Sequence, residues 1–187
     1  MITHADISPE AIKHLVQNMR EIDRREVYAL RWNDDEDALI TTLLAFAGDL
    51  WRVWLLDGVP VAVNGATPIR PGVAGASAFG TDDFWRVVVP MTRWSINWLI
   101  PALARSGYHR GEAYVAANNT RSIRWMSILG ATQEAYLHGY GRDQEDYRLY
   151  TWRLDEHVLF RRRRWGRRWG SSGAILLRPG DRAELRG

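Results

Sequence analysis

The sequence predicts a mixed α/β domain, helices and strands in alternation, followed by a basic C-terminal tail. Three observations carry this. Apolar residues recur at helical spacing in some segments and as short extended runs in others. One stretch, Ala113 to Ala131, passes from an extended run through a polar junction into a short amphipathic helix that stops at glycine. Charge also divides sharply: residues 1–157 hold 16 Lys and Arg against 20 Asp and Glu, whereas residues 158–187 hold 9 against 2. The division sets one domain at 1–157 and a separate Arg/Trp-rich tail at 158–187, read as either a disordered segment or a docking strap.

Ser8-Pro9-Glu10 has the order of a helix start, with a capping hydroxyl, proline in the first turn and a carboxylate near the positive end of the dipole, and the helix is expected to run to about Arg20. Asn33 or Asp34 caps a second helix, whose apolar face is Leu39, Ile40, Leu43, Leu44 and Phe46. Trp51 to Leu56, Asp57-Gly58 and Val59 to Asn64 read as a β-hairpin, because Asp-Gly suits the tight turn that matches strand twist. Gly72 to Thr81 is a third extended stretch, weak in propensity because it is rich in glycine and alanine. Asp82-Asp83 is expected to cap a long helix from Phe84 to about Arg105, kinked at Pro90 and stopped at Ser106-Gly107. Gly111 to Ala117 is the next strand. Asn118, Asn119 and Thr120 then offer caps for a helix with Ile123, Met126 and Leu129 on one face, and Gly130 supplies a left-handed stop. Thr132 to His138 and Tyr147 to Leu154 complete the pattern as strands joined through Gly139-Tyr140-Gly141 and a polar turn.

Composition narrows the function classes. A chain of 187 residues, 46% apolar, suits one domain with a full core. The absence of cysteine excludes disulfides, thiolate metal sites and a cysteine nucleophile, and the five histidines form no pair at helical spacing, so no metal site is expected. The N-terminal segment lacks the apolar core of a signal peptide, and no apolar run approaches the roughly 18 residues of a membrane span, so the cytosol is the expected compartment. The ten tryptophans are expected mainly in the core and secondarily at contacts.

The order Asn119-Thr120-Arg121-Ser122-Ile123-Arg124-Trp125-Met126-Ser127-Ile128-Leu129-Gly130-Ala131 resembles the signature that closes the cofactor domain of GNAT-type acyl-CoA N-acyltransferases. The order of elements is also similar to that family over about the first 155 residues. Met19-Arg20, Asp23 and Glu26, with Phe79-Gly80-Thr81 midway, is similar to GNAT-like proteins encoded by short-tailed bacteriophages. The resemblance implies a mixed, mostly antiparallel sheet flanked by helices, with its fourth and fifth strands splayed apart and acyl-CoA entering the splay. It implies N-acetyl transfer from acetyl-CoA to an amine, on a small molecule or a protein, in the cytoplasm of a phage host. It also places Phe79, Gly80, Thr81 and Asn119 against the cofactor.

Two positions depart from the family pattern. Where GNAT enzymes carry an Arg/Gln-x-x-Gly-x-Gly/Ala loop, whose amides hold the pyrophosphate at a helix N-terminus, this chain reads Ala78-Phe79-Gly80-Thr81-Asp82-Asp83, and the two carboxylates repel an anion. Free amides there would suit the cofactor, whereas Asp82 and Asp83 folded onto them would suit an inert scaffold. Met126 stands where the family often has a proton-donating tyrosine, and it has no proton to give. For the base, Glu26 and Asp23 are the first candidates and Glu112 and Tyr140 the next, the last two explained equally by a surface carboxylate and a packed phenol; pairing of Arg20 with Asp23 on a helix surface explains that carboxylate without catalysis.

The tail concentrates Arg161, Arg162, Arg163, Arg164, Trp165, Arg167, Arg168 and Trp169 in one short stretch. Arginine interleaved with aromatics suits phosphate contact with base stacking, an anionic lipid surface, docking on an acidic protein, or simple solvation. Two functions therefore stand: an acetyl-CoA-dependent N-acetyltransferase, or a catalytically inactive phage virion or assembly protein that contacts nucleic acid or neighbouring subunits through its tail.

Overall fold

Alternating strands and helices build one seven-stranded sheet with helices on both faces. A computed structural model describes residues 1–46 and 48–154. In chain order the elements are β1 (Ile2–Ala5), α1 (Pro9–Gln17), α2 (Glu21–Ala29), α3 (Glu36–Ala45), β2 (Trp51–Leu56), β3 (Val59–Arg70), β4 (Val73–Gly80), α4 (Phe84–Trp94), a π-helical turn (Ser95–Leu99), α5 (Ile100–Arg105), β5 (Arg110–Ala116), α6 (Thr120–Ile128), β6 (Thr132–Leu137) and β7 (Tyr147–Arg153). The sheet order is β1-β2-β3-β4-β5-β7-β6. The β4–β5 pair is parallel and the others are antiparallel, which makes the sheet mixed and mostly antiparallel as expected.

Where local chemistry was strong, expectation and structure agree. Ser8 accepts from the Ala11 amide, Asp57 and Gly58 both have positive φ in the hairpin turn, Gly107 and Gly130 end their helices at φ of 86° and 78°, and the Asn119 side chain caps α6 through the Ser122 amide.

Other expectations are corrected. The edge strand β1 carries no readable alternation because all four of its residues are exposed. α1 stops at Gln17, and a separate helix α2 follows whose sequence, EIDRREVYA, is too charged to show an apolar stripe. Asp35, not Asn33 or Asp34, caps α3 through the Ala38 amide, and Phe46 is half exposed at its C-cap instead of lying on the buried face. β3 continues to Arg70, well past Asn64. Neither aspartate before α4 caps it: the Asp83 amide donates to Thr81 Oγ1, and the Asp83 carboxylate accepts from Arg86. α4 runs through Pro90, and the departure from α geometry comes at Ser95–Leu99, where Ser95 Oγ back-bonds to the Met91 carbonyl at 2.9 Å.

Two cores sandwich the sheet. Trp54, Phe84, Met91, Leu103, Trp125 and Trp152 anchor the face under α4, α5 and α6. Ile12, Leu15, Val16, Val53, Val63 and Phe79 anchor the face under α1, α2 and α3. Trp51, Trp54, Trp125 and Trp152 are buried, whereas Trp32 is fully exposed. At the end of β4, a Cβ on Gly80 would collide with the Val61 carbonyl and lie 2.9 Å from Ala62 Cα, both of them backbone atoms that cannot swing aside. Gly80→Ala is therefore expected to lower the unfolding free energy by about 1–3 kcal/mol, as overpacking does, measured by urea denaturation at constant m-value.

Candidate active site

The fourth and fifth strands part company after a short contact. Val73, Ala74 and Gly75 pair with Arg110, Gly111 and Glu112. Beyond them β4 ladders only with β3, and β5 only with β7, so one edge of each strand faces a gap. The small side chains of Ala76, Ser77 and Ala78 leave that gap open, and it leads into a cavity of about 470 Å³ lined from both strands and both faces of the sheet.

One turn of α2 spans the far end of the gap. Asp23 Oδ2 accepts from the Gly80 amide of β4 at 2.9 Å, and Glu26 Oε1 accepts from the Ala116 amide of β5 at 2.8 Å. A spacing of three residues puts both carboxylates on one face of the helix. Asp23 also takes a two-pronged bond from Arg20, Nε to Oδ2 at 2.7 Å and Nη2 to Oδ1 at 2.8 Å, and the guanidinium lies 4.1 Å from the centre of the Phe84 ring. The pair is buried, at 8% and 4% exposure, so its assignment to a helix surface is corrected.

Glu26 Oε2 accepts from Asn119 Nδ2 at 2.7 Å. Burial pushes its carboxyl above the ordinary value, partly opposed by the Asn119 and Ala116 hydrogen bonds. Among the described residues it forms no ion pair. Tyr147 holds α2 from below, its hydroxyl donating to the Glu26 carbonyl at 2.9 Å. Glu112, read in the sequence as a surface carboxylate, is only 2% exposed. It accepts from Arg70 and Arg110, each at 2.7 Å, and burial raises its carboxyl less than these cations lower it, so it stays below the usual range. Tyr140 is nearly half exposed and stacks flat on Tyr114, with centroids 5.3 Å apart.

Of the four residues expected against a cofactor, Phe79 lines the cavity, whereas Gly80, Thr81 and Asn119 lie outside its lining. Phe79 is buried in the core beneath α1. The Gly80 amide is held by Asp23, the Thr81 amide donates to the Val61 carbonyl at 2.9 Å, and Asn119 bridges Glu26 and the Ser122 amide. The Gly80, Thr81, Asp83 and Phe84 amides are thus engaged, by Asp23, Val61 and Thr81, and the side chains of Asp82 and Asp83 take no part in those bonds. An apolar thioester arm fits the gap; a diphosphate finds no free amide at Gly80, Thr81, Asp83 or Phe84. Met126 lines the cavity, as do three polar side chains that sequence reasoning missed, Arg31, Trp51 and Tyr114. A tryptophan starting β2 opposite a glycine was the one readable trace of them.

Arg161 to Arg164, Trp165, Arg167, Arg168 and Trp169 lie outside the described residues. Among the described residues no helix is long and apolar enough to cross a membrane, and no cluster of three or more side chains is arranged to hold a metal.

No family model and no curated protein matches the sequence. Solved structures do match the fold. The structure of yncA from Salmonella typhimurium, solved with its cofactor acetyl-CoA, is similar at a TM-score of 0.62 and 20% identity, over 84% of this chain and 96% of that one. A GNAT-family acetyltransferase from Bacillus anthracis gives 0.63 and 12%, over 82% and 95%. The ribosomal-protein-S18-alanine N-acetyltransferase of Escherichia coli gives 0.58 and 18%, over 82% and 94%. With its mixed sheet, its parted fourth and fifth strands and these neighbours, the chain has the fold of the GNAT acetyltransferases.

Proposed function

We propose that the chain is an N-acetyltransferase that uses acetyl-CoA to acetylate a primary amine. The observation that carries this reading is the gap itself, an apolar passage through the sheet with a half-buried, ion-pair-free carboxylate on its wall. Acetyl-CoA, when bound, supplies an activated acetyl thioester. The chain's residues hold the arm between β4 and β5, exclude water and move two protons, one from the acceptor nitrogen and one to the leaving sulfur. Each Glu26 oxygen accepts one protein hydrogen bond and keeps a further lone pair, so either can take the proton of the acceptor ammonium before nitrogen attacks. Tyr114, not Met126, is the phenol on the cavity wall. Burial, then its neighbours Tyr140 and Glu112, push it up to about 12, which keeps it protonated at neutral pH; its hydroxyl donates to Glu112 Oε2 at 3.3 Å and turns from that bond to protonate the leaving sulfur.

Because the Gly80, Thr81, Asp83 and Phe84 amides are already bonded, affinity rests chiefly on the arm. Calorimetry at low salt is expected to show heat with acetyl-CoA, and S-acetyl-pantetheine is expected to bind within about tenfold of it, a difference of about 1.4 kcal/mol. No heat with either up to millimolar concentration overturns the reading. The engaged Gly80 and Thr81 amides, with Met126, favour a second reading, a non-catalytic phage scaffold whose basic tail contacts nucleic acid or neighbouring subunits. That reading requires DNA affinity or virion incorporation to fall when residues 158–187 are deleted.

A further inference from the structure

The mouth of the cavity on the α2–α3 side holds polar groups that the proposed chemistry does not use. Trp51 is 4% exposed and lines the cavity, yet its indole N–H is buried with no acceptor among the described residues. The indole is fixed in place, because it lies so close over Gly65 that a Cβ there would overlap it. Arg31 also lines the cavity. Its Nε is buried and unpaired, its Nη2 makes one long 3.4 Å bond to Thr42 Oγ1, and it forms no ion pair among the described residues. Burying an unmet donor costs about 1–3 kcal/mol, and more when it is charged, so two at one mouth need an explanation.

Around these donors the wall is apolar. Leu30, Phe46 and Ile69 line the cavity while being 42%, 52% and 48% exposed, and Val27 and Leu43 line it further in. Along α2, Leu30 follows Glu26 by four residues, which sets it one turn further on the same helix face. The cavity lining therefore combines one carboxylate without a cation, one cation without a carboxylate, an unpaired indole N–H and an apolar wall.

We infer that the acceptor is an α-amino acid with an apolar side chain, its ammonium at Glu26, its carboxylate at Arg31 and the Trp51 N–H, and its side chain against Leu30, Leu43, Phe46 and Ile69. The inference rests on the acetyltransferase reading and narrows it. Acyl transfer forms a C–N bond to the α-nitrogen and breaks the thioester C–S bond; one ammonium proton passes to Glu26 before attack, the nitrogen sheds a second once the C–N bond has formed, and that proton balances the one the leaving sulfur takes as it departs as thiol. A simple amine of the same shape supplies nothing to Arg31 or Trp51, and leaving them unmet in the complex discriminates against it.

The test compares L-phenylalanine with phenethylamine, which lacks only the carboxylate, and with L-phenylalanine amide, which keeps a carbonyl but no charge. Acetylation is followed by thiol release, and binding of each compound is measured calorimetrically without acetyl-CoA. L-Phenylalanine is expected to exceed phenethylamine at least tenfold in kcat/KM and in affinity, with the amide between them. Arg31→Met is expected to erase the difference, and Trp51→Phe, which keeps the ring packing but removes the N–H, to reduce it several-fold; unchanged Tm values for both variants exclude misfolding. Equal use of phenethylamine and L-phenylalanine, or preference for the amide as a peptide N-terminus would show, overturns this inference and leaves the acetyltransferase reading intact. Failure to bind acetyl-CoA overturns that reading, while amino acid binding that Arg31→Met abolishes would still support the site.

Discussion

Asp23→Ala is expected to lower the unfolding free energy by about 3–5 kcal/mol, the range seen when one partner of a buried ion pair is removed. Three hydrogen bonds end on this carboxylate, two from the Arg20 fork and one from the Gly80 amide, and both ionic partners are less than a tenth exposed. Its loss leaves a guanidinium in a site walled by Phe84 and Trp85, with no replacement for the charge it faced. For a domain of this length the change corresponds to a Tm lower by roughly 6–20 °C, read by scanning calorimetry. The double variant Arg20→Met with Asp23→Leu removes both charges and fills the space, so it should recover most of the loss and leave chiefly the unmet Gly80 amide. A single variant within 1 kcal/mol of the parent would show that the pair is dispensable. The same comparison decides whether α2 is held by charge or by packing.

Glu26→Gln is expected to have the largest effect on turnover, a loss of about 10²–10⁴-fold in kcat, the usual contribution of a positioned general base. Glutamine keeps the shape and can still accept from the Ala116 amide, but its NH₂ then faces the donor Asn119 Nδ2, so about 1 kcal/mol of stability should go with the activity. The pH profile separates the two. Burial raises the Glu26 carboxyl, so kcat/KM should climb with pH through an ascending limb above the ordinary carboxylate range, and the variant should lack that limb. Stability runs the opposite way. A carboxyl raised in the folded state contributes fully below its unfolded value and loses that contribution as pH rises through its folded value. The parent-minus-variant stability difference should therefore shrink as pH rises above the usual Glu range. A variant that keeps its full rate would remove Glu26 from the mechanism and shift attention to Asp23 or to a water.

How much of this was legible in the sequence depended on whether the controlling interaction was local. The hairpin at Asp57-Gly58, the cap at Ser8, the capping run that holds Asn119 and the stops at Gly107 and Gly130 are decided within a few residues, and each reads correctly. α2 failed because its buried side is polar. Asp23 is covered by Arg20 and Gly80, 57 residues away in sequence, so the apolar periodicity that marks an ordinary helix is missing where the function is densest. The spacing of Arg20, Asp23 and Glu26 was visible, but their partners were not, and a buried fork therefore read as a surface pair. Glu112 was misjudged for the same reason, since Arg70 meets it from 42 residues away. The glycine- and alanine-rich run before Gly80 looked like a poor strand, and that poverty of side chains is what leaves room for the cavity. Arg31 and Trp51 gave almost no signal, because an unpaired donor is recognised only once its surroundings are known.

The short contact between β4 and β5 has a mechanical consequence. Four strands lie on one side of it and three on the other, and at one end the two leaves are stitched by three parallel residue pairs and the Arg70–Glu112 ion pair. At the opposite end a single helical turn ties them through Asp23 to Gly80 and Glu26 to Ala116. The slot between the leaves is thus built as a clasp with one seam and one latch, and widening it with α2 held rigid lengthens one of those two carboxylate–amide bonds.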